Sequence, residues 1–430
     1  MTKDLPPQQS TWRSQNEPGP SVSPPTFEES TGHLLIDFDQ PDPPISTGDQ
    51  EPPPDFTPYD AEFFVSSDGS IISHDPHLNE DGEALYRFLL SQANATPTYK
   101  LHCKGAHTEN RTRLVNSTNS RGQSQTRTEN YTETVTDFDF FINVNHDIPS
   151  RPTQWTLGDE EPAYRGRMIR EAGIPVFTRK ASRAEAKEAK VWRDEREAHG
   201  IPPWIAKASV QLLHPTIGME MPLMRDVTKS SWTLRQWADD YCASPKYLKE
   251  FVYEKVLYGW NVGALTTAIH SAILSVHYTG NITVKFELSL NRVIVRPDTR
   301  LSRALSNRWL KFLLIITLIY PFIWLFKRFH SRGGGRWAIA GSAYALKKYT
   351  PLQDEEVDDS QLGRYGPRGK YVQTREGVQM LVGVREGEWF QRWEGTIRRA
   401  IAAKKVDRTP MEQPDDIPEY NTQVLDGYSS

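Results

Sequence analysis

The chain has 430 residues, 37% of them hydrophobic and 25% charged, with a formal net charge of −4. This composition provides for one or two folded domains and a single membrane anchor, and it excludes a polytopic membrane protein. The two cysteines, Cys103 and Cys242, are too few for a disulfide scaffold or a thiolate zinc site, so a reducing environment is expected around the main domain.

Residues 1–58 hold ten acids against Lys3 and Arg13, and thirteen of the 31 prolines. With so few aliphatic side chains they cannot offset the entropy of ordering, and a disordered acidic tail is expected. No basic region followed by an apolar run opens the chain, so no secretory signal peptide is read there. Within the tail, Leu35, Ile36, Asp37, Phe38 and Asp39 resemble the clathrin box, whose peptides dock as strands with alternate side chains in pockets. This makes Leu35, Ile36, Phe38 and Asp39 the candidate partner motif. The bland alternative is a short cluster that folds onto its own domain.

A cytosolic α+β domain is expected over residues 59–297. Asp68-Gly69 between two apolar runs signals a hairpin, and Asn79 to Asp81 open a helix bearing Leu85, Phe88 and Leu89 on one face. His74, Asp75, His77, Glu80 and Asp81 have the composition of a metal cluster, but turn and cap chemistry explains them better. Tyr99, Leu101 and Cys103 alternate with Lys100, His102 and Lys104, and Phe138, Phe140, Ile142 and Val144 share a face opposite Asp137 and Asp139. The pattern predicts a long antiparallel hairpin with a polar tip over 107–130, whose arginines are read as solvated; no specific nucleic acid is expected. Ser182 and Glu185 form a capping box for a largely polar helix. Amphipathic helices are expected near Leu234 to Tyr241, in "SPKYLKEFVYEKVLYGW", and from Val262 to Val276, followed by a strand alternating through Ile282, Val284, Phe286, Leu288 and Leu290.

The segment "SNRWLKFLLIITLIYPFIWLFKRFH" comes next. Phe312 to Phe326 is uncharged, about 22 Å as a helix, and counting from Trp309 extends it to about 27 Å. We therefore expect a transmembrane segment over 309–328 behind a basic juxtamembrane helix over 298–308. Trp309, Lys311, Phe312, Pro321, Phe326, Lys327 and Arg328 are its anchor residues. Pro321 also permits a bent hairpin with both flanks on one side. Beyond it lie an expected flexible linker (329–364), including a short helix in "WAIAGSAYALKK", and a small C-terminal module (365–406). That module pairs the strand "VQMLVGV" with a helix bearing Trp389, Trp393, Ile397 and Ile401. A disordered tail (407–430) ends the chain.

The combination of "HDPHLNEDGEALYRFLLSQ", "TETVTDFDFFI" and "WLKFLLIITLIYPFIWLFKRF" resembles a group of uncharacterised membrane-anchored proteins of mushroom-forming (basidiomycete) fungi, over most of residues 59–405. The resemblance implies a membrane anchor and carries no activity or functional residue. The hairpin "YKLHCKG…YTETVTDFDF" is also similar to strands of arrestin-like sandwiches. The expected architecture is therefore α+β: an antiparallel sheet with a long hairpin, amphipathic helices, one membrane helix and a disordered N-terminal tail. The expected role is a non-enzymatic, single-pass adaptor or scaffold of endomembranes such as the endoplasmic reticulum. Its N-terminal domain would be cytosolic, its partners the lipid bilayer and proteins recruited by short motifs. No catalytic, cofactor or metal residues are assigned. The alternatives are a membrane-bound enzyme using His74, His77 and Asp137 to Asp139, or a lipid-binding protein with an apolar cavity beneath the 282–290 strand. Five sequons, at Asn94, Asn110, Asn116, Asn130 and Asn281, would stay unmodified in the cytosol.

Overall fold

The computed structural model describes residues 58–118, 124–148, 151–207, 227–351, 371–374 and 377–415. The first part of the chain forms β1 (Phe64–Val65), β2 (Ile71–Ser73), α1 (Gly82–Asn94), β3 (Thr98–Thr118), β4 (Ser124–Asn143), β5 (Thr153–Thr156), β6 (Tyr164–Arg165), β7 (Glu171–Ala172) and β8 (Arg179–Lys180). Next come α2 (Arg183–Ala198), α3 (Leu234–Ala243), β9 (Leu248–Tyr258), α4 (Val262–Ser275), β10 (Asn281–Ser289) and β11 (Arg292–Val295). Then follow α5 (Arg300–Ser306), α6 (Arg308–Ile316), α7 (Ile319–Phe329), β12 (Gly334–Ala345), β13 (Lys347–Pro351), β14 (Tyr371–Thr374), β15 (Gly377–Gly383) and α8 (Glu386–Ala402). The class is α+β, with eight helices among the described residues and both mixed and antiparallel sheets.

The long hairpin forms as its alternation predicts. β3 and β4 pair from Lys100↔Asn143 to Thr118↔Ser124, and β10 pairs antiparallel with the free side of β3. Leu101, Cys103, Phe138, Phe140 and Ile142 are buried, and α4 and α8 cover them with Ile269, Ile273, Trp393 and Ile397. The register shifts at Gly105, where a Cβ would collide with the Phe138 ring. The apolar face of α8, expected to pack on its own strand, is thus part of the hairpin's core.

The central sheet runs β1-β2-β11-β9-β12-β5, with β6 also on β12, and its core includes Phe88 of α1 and Trp237 and Tyr241 of α3. Two expectations fail here. Residues 248–258, read as helical, are the middle strand β9, paired antiparallel with β11 and parallel with β12. A strand buried on both faces loses its period-two signature, and Phe251, Val252, Tyr253 and Val256 favour the extended form. "WAIAGSAYA", read as helix, lies in β12. At Gly341 a Cβ would strike the Glu254 carbonyl, so the small residue allows the close approach to β9.

Helix starts follow the expected caps. Asp81 accepts from the Glu83 N–H at 2.9 Å, and the Ser182–Glu185 box is complete.

Candidate functional site

The apolar segment is not one helix. Asn307 caps α6 through the Trp309 N–H at 2.9 Å, α6 ends at Ile316, and α7 starts at Ile319 after a bend of 103°. Pro321 has no N–H for the Thr317 carbonyl, so the helical ladder cannot run through. Leu318 closes the break in the left-handed region at φ +58, and Thr317 Oγ1 donates to the Leu313 carbonyl at 2.9 Å. Pro321 itself sits in the first turn of α7, where a missing N–H costs little.

No single described helix is long and apolar enough to cross a membrane, which corrects the expected single membrane helix. The two pieces are about 14 and 16 Å long, against a hydrocarbon core of about 30 Å. Their roots reinforce the correction. β11 precedes α5 and β12 follows α7, and the two strands flank β9 in one sheet. Both ends of the apolar segment therefore leave from the same body.

The bent pair is uncovered. Trp309 is 81% exposed, Phe322 71% and Phe329 72%, and Leu310, Phe312, Leu313, Ile316 and Leu325 are exposed with them. Further exposed apolar residues lie on segments hydrogen-bonded to its end or close to such a segment in the chain. The Arg328 guanidinium donates to the Met168 carbonyl at 3.2 Å, joining α7 to the loop before β7, and the β7–β8 turn carries exposed Ile174, Val176 and Phe177. Tyr247, also exposed, donates its N–H to the Arg332 carbonyl at 3.0 Å.

Between α5, α6, α7 and the start of β9 lies a cavity of about 100 Å³, whose lining includes Glu250, Arg296, Lys311, Tyr320, Trp324 and Lys327. Glu250 receives three cations: Arg296 at 3.2 Å, Lys327 at 3.6 Å and Arg336 at 3.7 Å. Burial pushes its carboxyl up, but Lys327, Arg296 and Arg336 outweigh that and hold it below the usual carboxylate value. Burial also pulls the Lys327 ammonium below its ordinary value despite Glu250. Arg296 and Arg336 add to the lowering of Lys327, because they compete with it for the same carboxylate. Lys249, on the same wall, is already satisfied: its Nζ donates to the carbonyls of Tyr241, Cys242, Ser244 and Asn79 at 2.9–3.1 Å, capping the end of α3. Lys311 lies 5.7 Å over the Tyr320 ring, and no carboxylate of the described residues pairs with it.

The structure thus gathers Lys311 and Lys327 at one cavity and puts Trp309, Phe312 and Arg328 on the exposed surface of the pair. Phe326 is half-buried and stacks on His330. The partner motif Leu35, Ile36, Phe38 and Asp39 lies outside the described residues. Glu250 was not singled out because its segment was read as an amphipathic helix, in which an acid between Lys249 and Phe251 carries no signal of its own.

The acids and histidines considered for catalysis do not converge. His74 bonds the Pro297 carbonyl at 3.1 Å and Ser306 Oγ at 3.0 Å, and Asp81 caps α1. Asp137 holds His107 and Tyr278, each at 2.8 Å, on the other sheet, where Asp139 holds His102 at 2.7 Å. Among the described residues no His, Cys, Asp and Glu group could hold a metal ion. A second cavity of about 280 Å³, lined in part by Phe286, Leu288, Tyr258 and Glu197, does lie beside β10. No protein-family model, curated protein or solved structure matches the chain.

Proposed function

We propose that the chain is a non-enzymatic adaptor or scaffold attached to one leaflet of an endomembrane. In this reading α6 and α7 are inserted in the interface, and the hydrophilic domain and acidic N-terminal segment are offered to protein partners. One observation carries this reading: a bent, uncovered apolar pair whose two ends are rooted on either side of β9. Half-burial of six to eight of its large side chains in the acyl region is worth on the order of 10 kcal/mol before ordering costs. Arg300, Arg308, Arg328 and Arg332, exposed at the ends of the segment, suit an anionic membrane face.

The test is vesicle flotation of the full chain and of a Trp309→Asp, Phe322→Asp variant. Both side chains face solvent, so the thermal midpoint should stay put while flotation falls at least tenfold. Unchanged flotation would sink the reading. So would a dimer in light scattering that the same variant dissociates, because the apolar face would then be a contact between copies.

The cavity beside β10 favours a second reading, ligand binding in the domain. At about 280 Å³ it lies at the lower edge of small-molecule pockets, roughly 300–1,000 Å³, and suits a single ring or short chain rather than a two-chain lipid.

A further inference from the structure

The cavity beneath the bent pair contains more positive charge than its acid can neutralise. Arg296, Lys311 and Lys327 line it, Glu250 is the one carboxylate among its described lining residues and pairs with Arg296 and Lys327, and Lys249 adds a fourth cation whose protons are committed to carbonyls. Beside it the buried Arg336 Nε has no hydrogen-bond acceptor and stands 3.7 Å from Glu250. A compact anion would complete this arrangement, because cations reach a space of about 100 Å³ from α6, from α7 and from the strand end at Arg296. A phosphate monoester, doubly charged and able to accept from several donors at once, fits better than a carboxylate. Two of the walls are α6 and α7 themselves, so a headgroup seated there would leave its acyl chains beside the exposed apolar side chains.

We propose that this cavity binds the phosphomonoester headgroup of an anionic lipid, with Lys311, Lys327 and Arg296 as its donors; the proposal rests on the membrane-attachment reading above. The experiment compares flotation of the full chain with vesicles of phosphatidylcholine alone, with added phosphatidate, and with phosphatidylserine matched in surface charge. Phosphatidate should recruit more protein than phosphatidylserine, and that ratio should fall about fivefold in Lys311→Gln and again in Lys327→Gln. Lys311 is exposed, so its variant should keep the native thermal midpoint, whereas Lys327→Gln is checked by melting first. Equal recruitment by the two anionic lipids, or a ratio untouched by both substitutions, overturns the headgroup site. If flotation with phosphatidylcholine persists in that case, attachment stands without it. If no vesicle floats the protein, attachment itself fails. A thermal shift with glycerol phosphate that Lys311→Gln abolishes would then replace the lipid by a soluble phosphate ester.

Discussion

Arg296 and Lys327, one before the apolar segment and one at its end, converge on the same Glu250 oxygen, at 3.2 and 3.6 Å. This shared acid pins the base of α7 to the strand that β11 and β12 flank, so it sets how the bent pair leaves the domain.

Replacing that acid should be costly. Glu250→Gln leaves three cations around a neutral amide in a largely buried site, and loss of about 3–5 kcal/mol is expected, the range for breaking a buried pair. The pH dependence follows from the direction of the shift. The carboxyl is held below its ordinary value of 4.5, so the folded state binds fewer protons than the unfolded one. Its stabilisation is complete above that value and is lost as pH falls through the lower folded one. Urea titrations at pH 7 and at stepped acidic pH should show this acid loss weakened in Glu250→Gln. Equal acid sensitivity in both proteins would mean that other carboxylates govern it.

A buried lysine shifted in the same direction gives the same slope in an alkaline window, but there the charged form costs stability. Lys255 on β9 donates to the Ala95 carbonyl at 2.8 Å, the C-cap of α1, and burial pulls its ammonium down to about 8 from 10.5. Below pH 8 the folded state bears the full cost of keeping it charged, about 3 kcal/mol, and stability rises as pH climbs from 8 towards 10.5. Lys255→Met should therefore be stabilising at pH 7, by about 1–3 kcal/mol, and should flatten that rise. Tyr344 also donates to the Ala95 carbonyl, at 3.3 Å, so the acceptor keeps a donor. Destabilisation at pH 7 would show that the cap outweighs the charge.

The β7–β8 turn should be a second point of membrane contact, because Phe177 is 81% exposed and the Arg328–Met168 bond ties the loop before β7 to α7. Phe177→Asp should weaken vesicle flotation several-fold, as loss of about 1–2 kcal/mol of apolar transfer implies, without moving the thermal midpoint. Unaltered flotation would confine the contact to α6 and α7.

What could be read from the residues alone depended on one-sided burial. β3, β4, α1 and α8 each bury one face, and Leu101, Phe138, Leu85 and Trp393 announced those faces by their spacing. β9 and β12 are buried on both faces, and their pairing joins segments on either side of the apolar run, which no local pattern encodes. "WAIAGSAYA" has helix-forming alanines, but its small side chains serve close strand packing against β9. The anchor residues were legible as a cluster of aromatics and cations around an apolar run. Their bend was legible only as a possibility at Pro321, and Glu250 could not be linked to Arg296, Lys327 and Arg336 without the sheet that assembles them.

The sequons turn this topology into a direct measurement. Asn110, Asn116 and Asn130 lie on the hairpin before the bent pair, and Asp407→Asn creates Asn-Arg-Thr after it. Because β11 and β12 flank the same strand, a site before the pair and a site after it must lie on one side of the membrane. In microsomes the hairpin sites and the new site should share one fate. All should stay unmodified if the domain is cytosolic, and all should gain glycans when a signal peptide fused to the N-terminus delivers the chain to the lumen. The fusion also shows that each site is an acceptable substrate. Glycans on the new site alone, with the hairpin bare, would require the segment to cross the bilayer. The sheet joining β11, β9 and β12 could not then exist in the membrane-bound protein.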